Sequence, residues 1–367
     1  MALLGAILPA WGYHRDPPQF VAVGNYFLCL ALGIIVAAVA SNRLLRRGLS
    51  FRLVFACGLS CAALCFLAVL SPPVSVWWRA FGLLALGVGA GLLNMGLFQA
   101  ISVCYQADAA GTVNRGGIWY GLGCLAATLL VAGTFYAYSV RAILLTMAVA
   151  PAAFAALYYR NAPAGAREGA HPTLRQAIDD FRSPGAVLFA MLLFVQFGNE
   201  WSIAGWLPLF LIRRVGFSPS AALMLLALYW LFLMSGRLVA VALLPRLKHA
   251  WLLFGSGIAA MFGCLTLFVT NNWFGAATAV FLIGCGYASI YPLVAEAIGR
   301  RFPYYHPGFF NGIFSIALVG GLMAPSTLGY AASQLGVGVV IGIPLIGTIT
   351  VIALLLLIWL EAKITGR

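Results

Sequence analysis

The feature that most restricts this chain is repetition: twelve apolar runs follow one another, separated by short breaks carrying charge, proline or glycine. They cover approximately 1–13, 20–41, 53–71, 80–104, 117–138, 141–159, 185–212, 218–244, 250–270, 273–297, 308–332 and 336–361. A helix rises 1.5 Å per residue, so about 20 apolar residues cross the hydrocarbon of a bilayer. Inside that medium a backbone has to satisfy its own hydrogen bonds, and a single run of this length does so as an α-helix. Charged residues are 8% of the 367, where a soluble chain would carry about a quarter. The expected fold class is all-α, a polytopic membrane protein with twelve transmembrane helices.

The first run is the exception. Residues 1–11 (MALLGAILPAW) are too few to cross. They also lack the basic start and small-residue cleavage site of a signal peptide. The chain is expected to begin inside a short or truncated first transmembrane helix.

The positions of the charges set the orientation. With the amino terminus inside, 15 of the 21 Lys and Arg residues fall in inner loops, from Arg43 through Lys363 and Arg367. Outer loops hold Arg15, Arg79, Arg141, Arg213 and Arg214, while Arg237 lies within a helix. Positive residues accumulate on the cytoplasmic side, so both termini are expected there, in a multi-pass protein of a bacterial inner membrane. The net charge of +13 is thus a matter of topology. No basic stretch interleaved with aromatics supports nucleic-acid binding.

One break is longer and hydrophilic. It divides the chain into 1–159, a linker 160–184 with a surface helix from Pro172, and 185–367. The two large parts resemble each other. Gly33 aligned with Gly236 brings Val36/Val239, Ala37/Ala240, Arg43/Arg246 and Leu44/Leu247 into register, and Gly87-Val88-Gly89 matches Gly284-Cys285-Gly286. Parallel repeats of this kind occur in transporters. The expected architecture is two six-helix bundles.

Within the seventh run, Gln196, Asn199 and Glu200 are spaced i, i+3, i+4 and share one helix face. A carboxylate at mid-membrane costs on the order of 3 kcal/mol, so it should face protein or a cavity rather than lipid. Two readings stay open: a carboxyl hydrogen-bonded to a neighbouring helix as structural glue, or a ligand-contacting, proton-carrying acid. Trp201 follows in the same run, and other runs offer Asn25 and Tyr26, Asn94 and Gln99, Tyr229 and Trp230, Tyr287 and Tyr291, and Asn311 and Ser315 at comparable depth. Amides replace water around a polar solute and aromatic faces cover its C–H surface. Asn25, Asn94, Gln99, Gln196, Asn199, Trp201, Tyr229, Tyr287, Tyr291 and Asn311 are therefore the expected substrate contacts, with Glu200 the coupling residue. Glu296 and Arg300, one helical turn apart near an inner helix end, are an expected gate pair. Arg237 is expected to snorkel to the interface.

Cys57, Cys61 and Cys65 form a stripe without His or acidic neighbours, and His14, His171, His249 and His306 are scattered, so no metal site is expected. No phosphate-binding loop or clustered catalytic residues occur, so neither a cofactor nor an enzymatic activity is expected.

Taken together, the two groups of six spans, the central loop and the basic turns after the second and eighth spans resemble the major facilitator superfamily. Residues 33–47 look like its loop motif, with Asn42 where an aspartate is usual. The fourth span keeps the glycines of the next motif (Gly87, Gly89, Gly91), with Leu84 near the usual arginine. Residues 197–211 (FGNEWSIAGWLPLFL) and 287–302 (YASIYPLVAEAIGRRF) are similar to the seventh and tenth helices of the fucose permease and glucose/galactose porter group. That resemblance implies the major facilitator fold and alternating-access transport of a sugar-like solute. Proton-coupled members carry acids in the first and fourth helices; here 1–11 have none and the fourth span offers Asn94 and Gln99, which leaves coupling to Glu200. The expected function is a monomeric secondary active or facilitative transporter of a small polar solute in the lipid bilayer, with protons as partners if it is coupled. The alternatives are an efflux carrier for amphipathic compounds and a non-transporting solute-binding membrane protein.

Overall fold

The computed structural model describes residues 1–44, 48–70, 75–107, 109–161, 181, 183–243, 246, 248–301 and 312–365, without the side chains of 39–44, 98–99, 101–107, 109–111, 113–114, 241, 312 and 365. Among them the chain forms twelve α-helices. The first six are α1 (Ala2–Ala10), α2 (Phe20–Leu44), α3 (Leu49–Val69), α4 (Val76–Ala107), α5 (Ala109–Thr134) and α6 (Val140–Arg160). The last six are α7 (Pro184–Phe210), α8 (Pro219–Leu243), α9 (His249–Val269), α10 (Trp273–Arg301), α11 (Gly312–Leu335) and α12 (Val339–Thr365). Eleven of these, all but the nine-residue α1, are long and apolar enough to cross a membrane. The surface helix expected from Pro172 lies outside the described residues.

Each expected run becomes a helix, and the largest boundary difference is between α4 and α5. The break expected at 105–116 is instead helical on both sides of residue 108. The apolar windows stop at Leu97 and resume at Arg115, but Ala100, Ala107, Ala109 and Ala110 favour helix beyond them. Ser139 starts α6, its Oγ accepting the Ala142 N–H at 3.3 Å. A π turn, Leu211–Val215, prolongs α7, and Gly216 then reverses the chain at φ 83°, a conformation that favours glycine.

Small residues set the helix packing, and they do so twice. A Cβ built on Gly33 of α2 would lie 2.2 Å from the Leu84 carbonyl oxygen of α4, and one on Gly87 2.2 Å from that of Leu30. In the last six helices a Cβ on Gly236 of α8 would lie 2.9 Å from Cys285 Cα of α10, and one on Gly284 3.1 Å from the Tyr229 carbonyl oxygen. Gly89 likewise meets Ser60 of α3, and Gly286 meets Ala260 of α9. The glycines that align in sequence thus make corresponding contacts, α2–α4 with α3, and α8–α10 with α9. Close approach of small residues is what holds helices together where lipid removes the hydrophobic drive.

The first six helices meet the last six along α1–α7, α2–α11 and α5–α8. Backbones touch here as well: a Cβ on Gly5 would be 2.5 Å from the Ala204 carbonyl oxygen, and one on Gly329 2.6 Å from Gly24 Cα. Helix α7 is consequently buried nearly all round, and that is what places its polar residues inside protein.

Candidate substrate site

Gln196, Asn199 and Glu200 are 0%, 4% and 5% exposed, so the polar face of α7 turns into the bundle. The side chains fan out. Asn199 lies against α12, with Oδ1 occupying the space 2.1 Å from where a Gly347 side chain would begin. Glu200 lies toward α8, where the Tyr229 hydroxyl donates to its carbonyl oxygen at 3.4 Å. Among the described residues the Glu200 carboxylate makes no hydrogen bond or ion pair, and the charged group that acts on it is the Arg237 guanidinium of α8. Both amide atoms of Gln196, Asn199 Nδ2, Trp230 Nε1 and Arg237 Nε are buried without a hydrogen-bond partner. Buried polar groups are almost always satisfied, and five of the ten such unpaired atoms among the described residues belong to these four residues.

Arg237 corrects the sequence reading. It does not snorkel: the residue is 5% exposed, and its guanidinium lies on α5 at Gly117. Burial is possible there because glycine leaves the room; a Cβ on Gly117 would sit 1.3 Å from Nη1. One turn along α5, the Tyr120 ring stands edge-on to Trp230 at 6.0 Å, and Trp230 in turn meets Tyr229 at 5.3 Å. Tyr120 and Cys124 both interact electrostatically with Glu200 and Arg237. The cluster therefore spans α5, α7 and α8, where the two sets of six helices face each other.

Residues 115–325 match the family model described as Major Facilitator Superfamily. The chain belongs to that superfamily. An uncharacterized MFS-type transporter of Yersinia pestis is 24% identical over 352 residues, 90% of this chain and 85% of that protein. Among solved structures, the nucleoside transporter NupG superposes with a TM-score of 0.70 at 13% identity, covering 99% of this chain and 95% of that one. FucP in its outward conformation superposes with a TM-score of 0.65 at 14% identity, covering 97% and 98%. These likenesses establish the major facilitator fold. The chain is a transporter rather than an enzyme, a multi-pass membrane protein that binds a small-molecule substrate.

The transporter's remaining expected contacts are distributed differently. Tyr287 uses its hydroxyl inside the last six helices, donating to Thr348 Oγ1 at 2.8 Å while Thr348 donates to the Pro344 carbonyl oxygen at 2.8 Å. Asn25 accepts a hydrogen bond from the Tyr330 hydroxyl, tying α2 to α11. Trp201 stacks on Phe197 at 6.2 Å and covers Gly321, and Tyr291 stands edge-on to Phe197 and Phe314 at 5.0 and 5.8 Å. Asn94 is partly exposed on α4. Asn311 and the side chain of Gln99 lie outside the described residues. Glu296 pairs with Arg300 and, at 3.3 Å, with His249, all within α9 and α10. Sequence reasoning missed Tyr120 and Gly117. Nothing in the run GGIWYGLGC separates them from ordinary packing residues until α8 is seen against them.

Two cavities among the described residues lie apart from this cluster. One of about 200 Å³ is apolar, lined by Leu4, Ile7, Trp11, Leu30, Leu67 and Leu83. The other, about 440 Å³, opens near His14, Arg15, Tyr136 and Tyr138 at the face expected to be outside. Neither is lined by Glu200.

Proposed function

We propose that the transporter carries a small hydroxylated, sugar-like solute by alternating access between bundles 1–159 and 185–367, with Glu200 taking up the coupling proton. The observation that carries this reading is the buried carboxyl of Glu200 beside an amide, Gln196, with neither of its polar atoms paired. An ionisable group kept at that depth is costly and is retained for a pathway or a proton relay. Hydroxyl groups donate to the carboxylate and accept from the amides, and Trp230, Tyr229 and Tyr120 supply apolar faces for a ring. The two fold relatives are described as a fucose:proton symporter and a nucleoside transporter, both acting on hydroxylated solutes. The positive-inside count supports cytoplasmic termini in a bacterial inner membrane.

Counterflow in proteoliposomes tests this. Radiolabelled hexoses, their acids and nucleosides are offered to the purified transporter at two pH values, with thermal stabilisation by the same compounds as a parallel reading. Saturable exchange of at least one such solute is expected. Exchange of none of them, with movement of amphipathic cations instead, would replace the proposal with efflux, the reading favoured by the apolar cavity along α1.

A further inference from the structure

Arg237 asks for an explanation that a neutral solute does not supply. It is 5% exposed, its Nε has no partner, and among the described residues no carboxylate forms an ion pair with it. The contrast with Arg79, 8% exposed, is instructive. There the Nε is unpaired as well, but the guanidinium donates to the Tyr13 hydroxyl at 3.3 Å and lies over the Trp11 ring at 5.0 Å, contacts that Arg237 lacks among the described residues. Among the described residues, Arg237 lies on Gly117 of α5 and acts on the Glu200 carboxylate without forming an ion pair with it. A buried cation without a contact partner is a large penalty unless an anion reaches it in part of the working cycle.

Resting on the functional reading above, we propose that the solute bears a carboxylate, that this group docks on the Arg237 guanidinium, and that each anion travels with one proton on Glu200. A guanidinium presents a rigid fork of donors that matches a carboxylate two-for-two, a geometry no hydroxyl uses fully. Charge balance then links anion to proton. The empty site holds one positive and one negative group and is neutral. Arrival of a carboxylate leaves it at minus one in a water-poor interior, and protonation of Glu200 returns it to zero. Release reverses both steps, so the net movement is one anion with one proton. The groups facing Glu200 are consistent with its being the site of that proton. Arg237 and Tyr229 face it from α8, and Tyr120 and Cys124 from α5. The amino group of Met1, which precedes α1, acts on Cys124 instead, and among the described residues no other titratable group acts on the Glu200 carboxyl. Gln196 on α7 and Trp230 on α8 carry unpaired N–H groups, which suit the solute's hydroxyls.

The test compares matched probes, D-glucuronate against D-glucose and D-galactonate against D-galactose, in proteoliposomes of the wild type, Arg237→Gln, Arg237→Lys and Gly117→Ala. Wild-type counterflow should favour an acid over its neutral partner. Net uptake of the acid should rise as the outer pH is lowered and should not respond to an imposed membrane potential, because anion and proton cross together. Arg237→Gln should lower the acid-to-neutral ratio at least tenfold, and Arg237→Lys should restore part of it. Gly117→Ala is the second route, since its methyl group displaces only the flexible end of Arg237 and leaves backbone packing alone; it should lower the same ratio. Preference for the neutral partners in the wild type overturns the carboxylate while leaving the sugar-like reading standing, and an unchanged ratio in Gly117→Ala overturns the role of Arg237. Exchange of neither class overturns the functional reading as well.

Discussion

Arg213, in the π turn that ends α7, holds Asp16 in the segment between α1 and α2: Nη1 lies 2.8 Å from Oδ1 and also donates to the His14 carbonyl oxygen at 3.2 Å. The contact joins the first six helices to the last six at the face expected to be outside. The Asp16 side chain is 84% exposed, which leaves the pair well screened. Asp16→Asn should therefore lower stability by less than about 1 kcal/mol, and Arg213→Ala by more, because the carbonyl also loses its donor. Thermal unfolding in detergent reads the difference. A larger loss in Asp16→Asn than in Arg213→Ala would show that the ion pair, and not the arginine's joint contact, holds this face.

The same segment should make stability fall in acid. Burial, with the charges of Arg15 and Arg213 adding to it, holds the His14 imidazole below the ordinary histidine value, and the Pro9 carbonyl pulls more weakly the other way. The unfolded chain then binds that proton more readily than the folded one. The contribution is present above the unfolded value of about 6.5 and is lost as the pH falls below it. Melting temperatures between pH 7.5 and 5.5 should drop less for His14→Asn than for the wild type, and parallel slopes would exclude His14 as the source.

Glycine substitutions should separate contact from open space. A Cβ on Gly329 meets backbone atoms of Gly24 at 2.6 Å, whereas one on Gly58 of α3 meets nothing within 4 Å. Gly329→Ala forces α2 and α11 apart and should cost about 1–3 kcal/mol. Gly58→Ala should be neutral or stabilising by up to about 1 kcal/mol, since glycine weakens a helix interior. Equal melting temperatures for the two variants would contradict the α2–α11 contact.

Tyr287→Phe should cost about 1 kcal/mol through the lost bond to Thr348, whose hydroxyl keeps its own acceptor at Pro344. The pair is buried between α10 and α12, so the loss should show as a lower melting temperature at every pH tested. A variant as stable as the wild type would mean that the hydroxyl bond contributes nothing net.

The helices were legible because apolar length and breaks report directly on what lipid tolerates, and helix position follows from that constraint alone. The paired glycines were legible too: Gly33 with Gly236, and Gly87 with Gly284, align in sequence and contact equivalent helices in space. The burial of Glu200 followed from its placement in an apolar run. What could not be read was partnership. Arg237 snorkels or turns inward according to what α5 offers it, and a glycine at position 117 has no signature until α8 lies on it. Tyr287 looked like a ligand for the same reason, since a hydroxyl at mid-membrane reads alike whether Thr348 or a solute receives it. The α4–α5 boundary was misplaced because helix propensity carries beyond the apolar window that marked the break.

Proton-driven uptake by Glu200→Gln, set beside counterflow by the same preparation, bears most directly on the transport mechanism. Glutamine keeps the shape and the hydrogen-bonding capacity of a protonated acid but cannot exchange the proton. If Glu200 carries it, the variant loses accumulation driven by a pH gradient and retains solute exchange at equal pH on both sides. Accumulation at the wild-type level in Glu200→Gln would contradict that role.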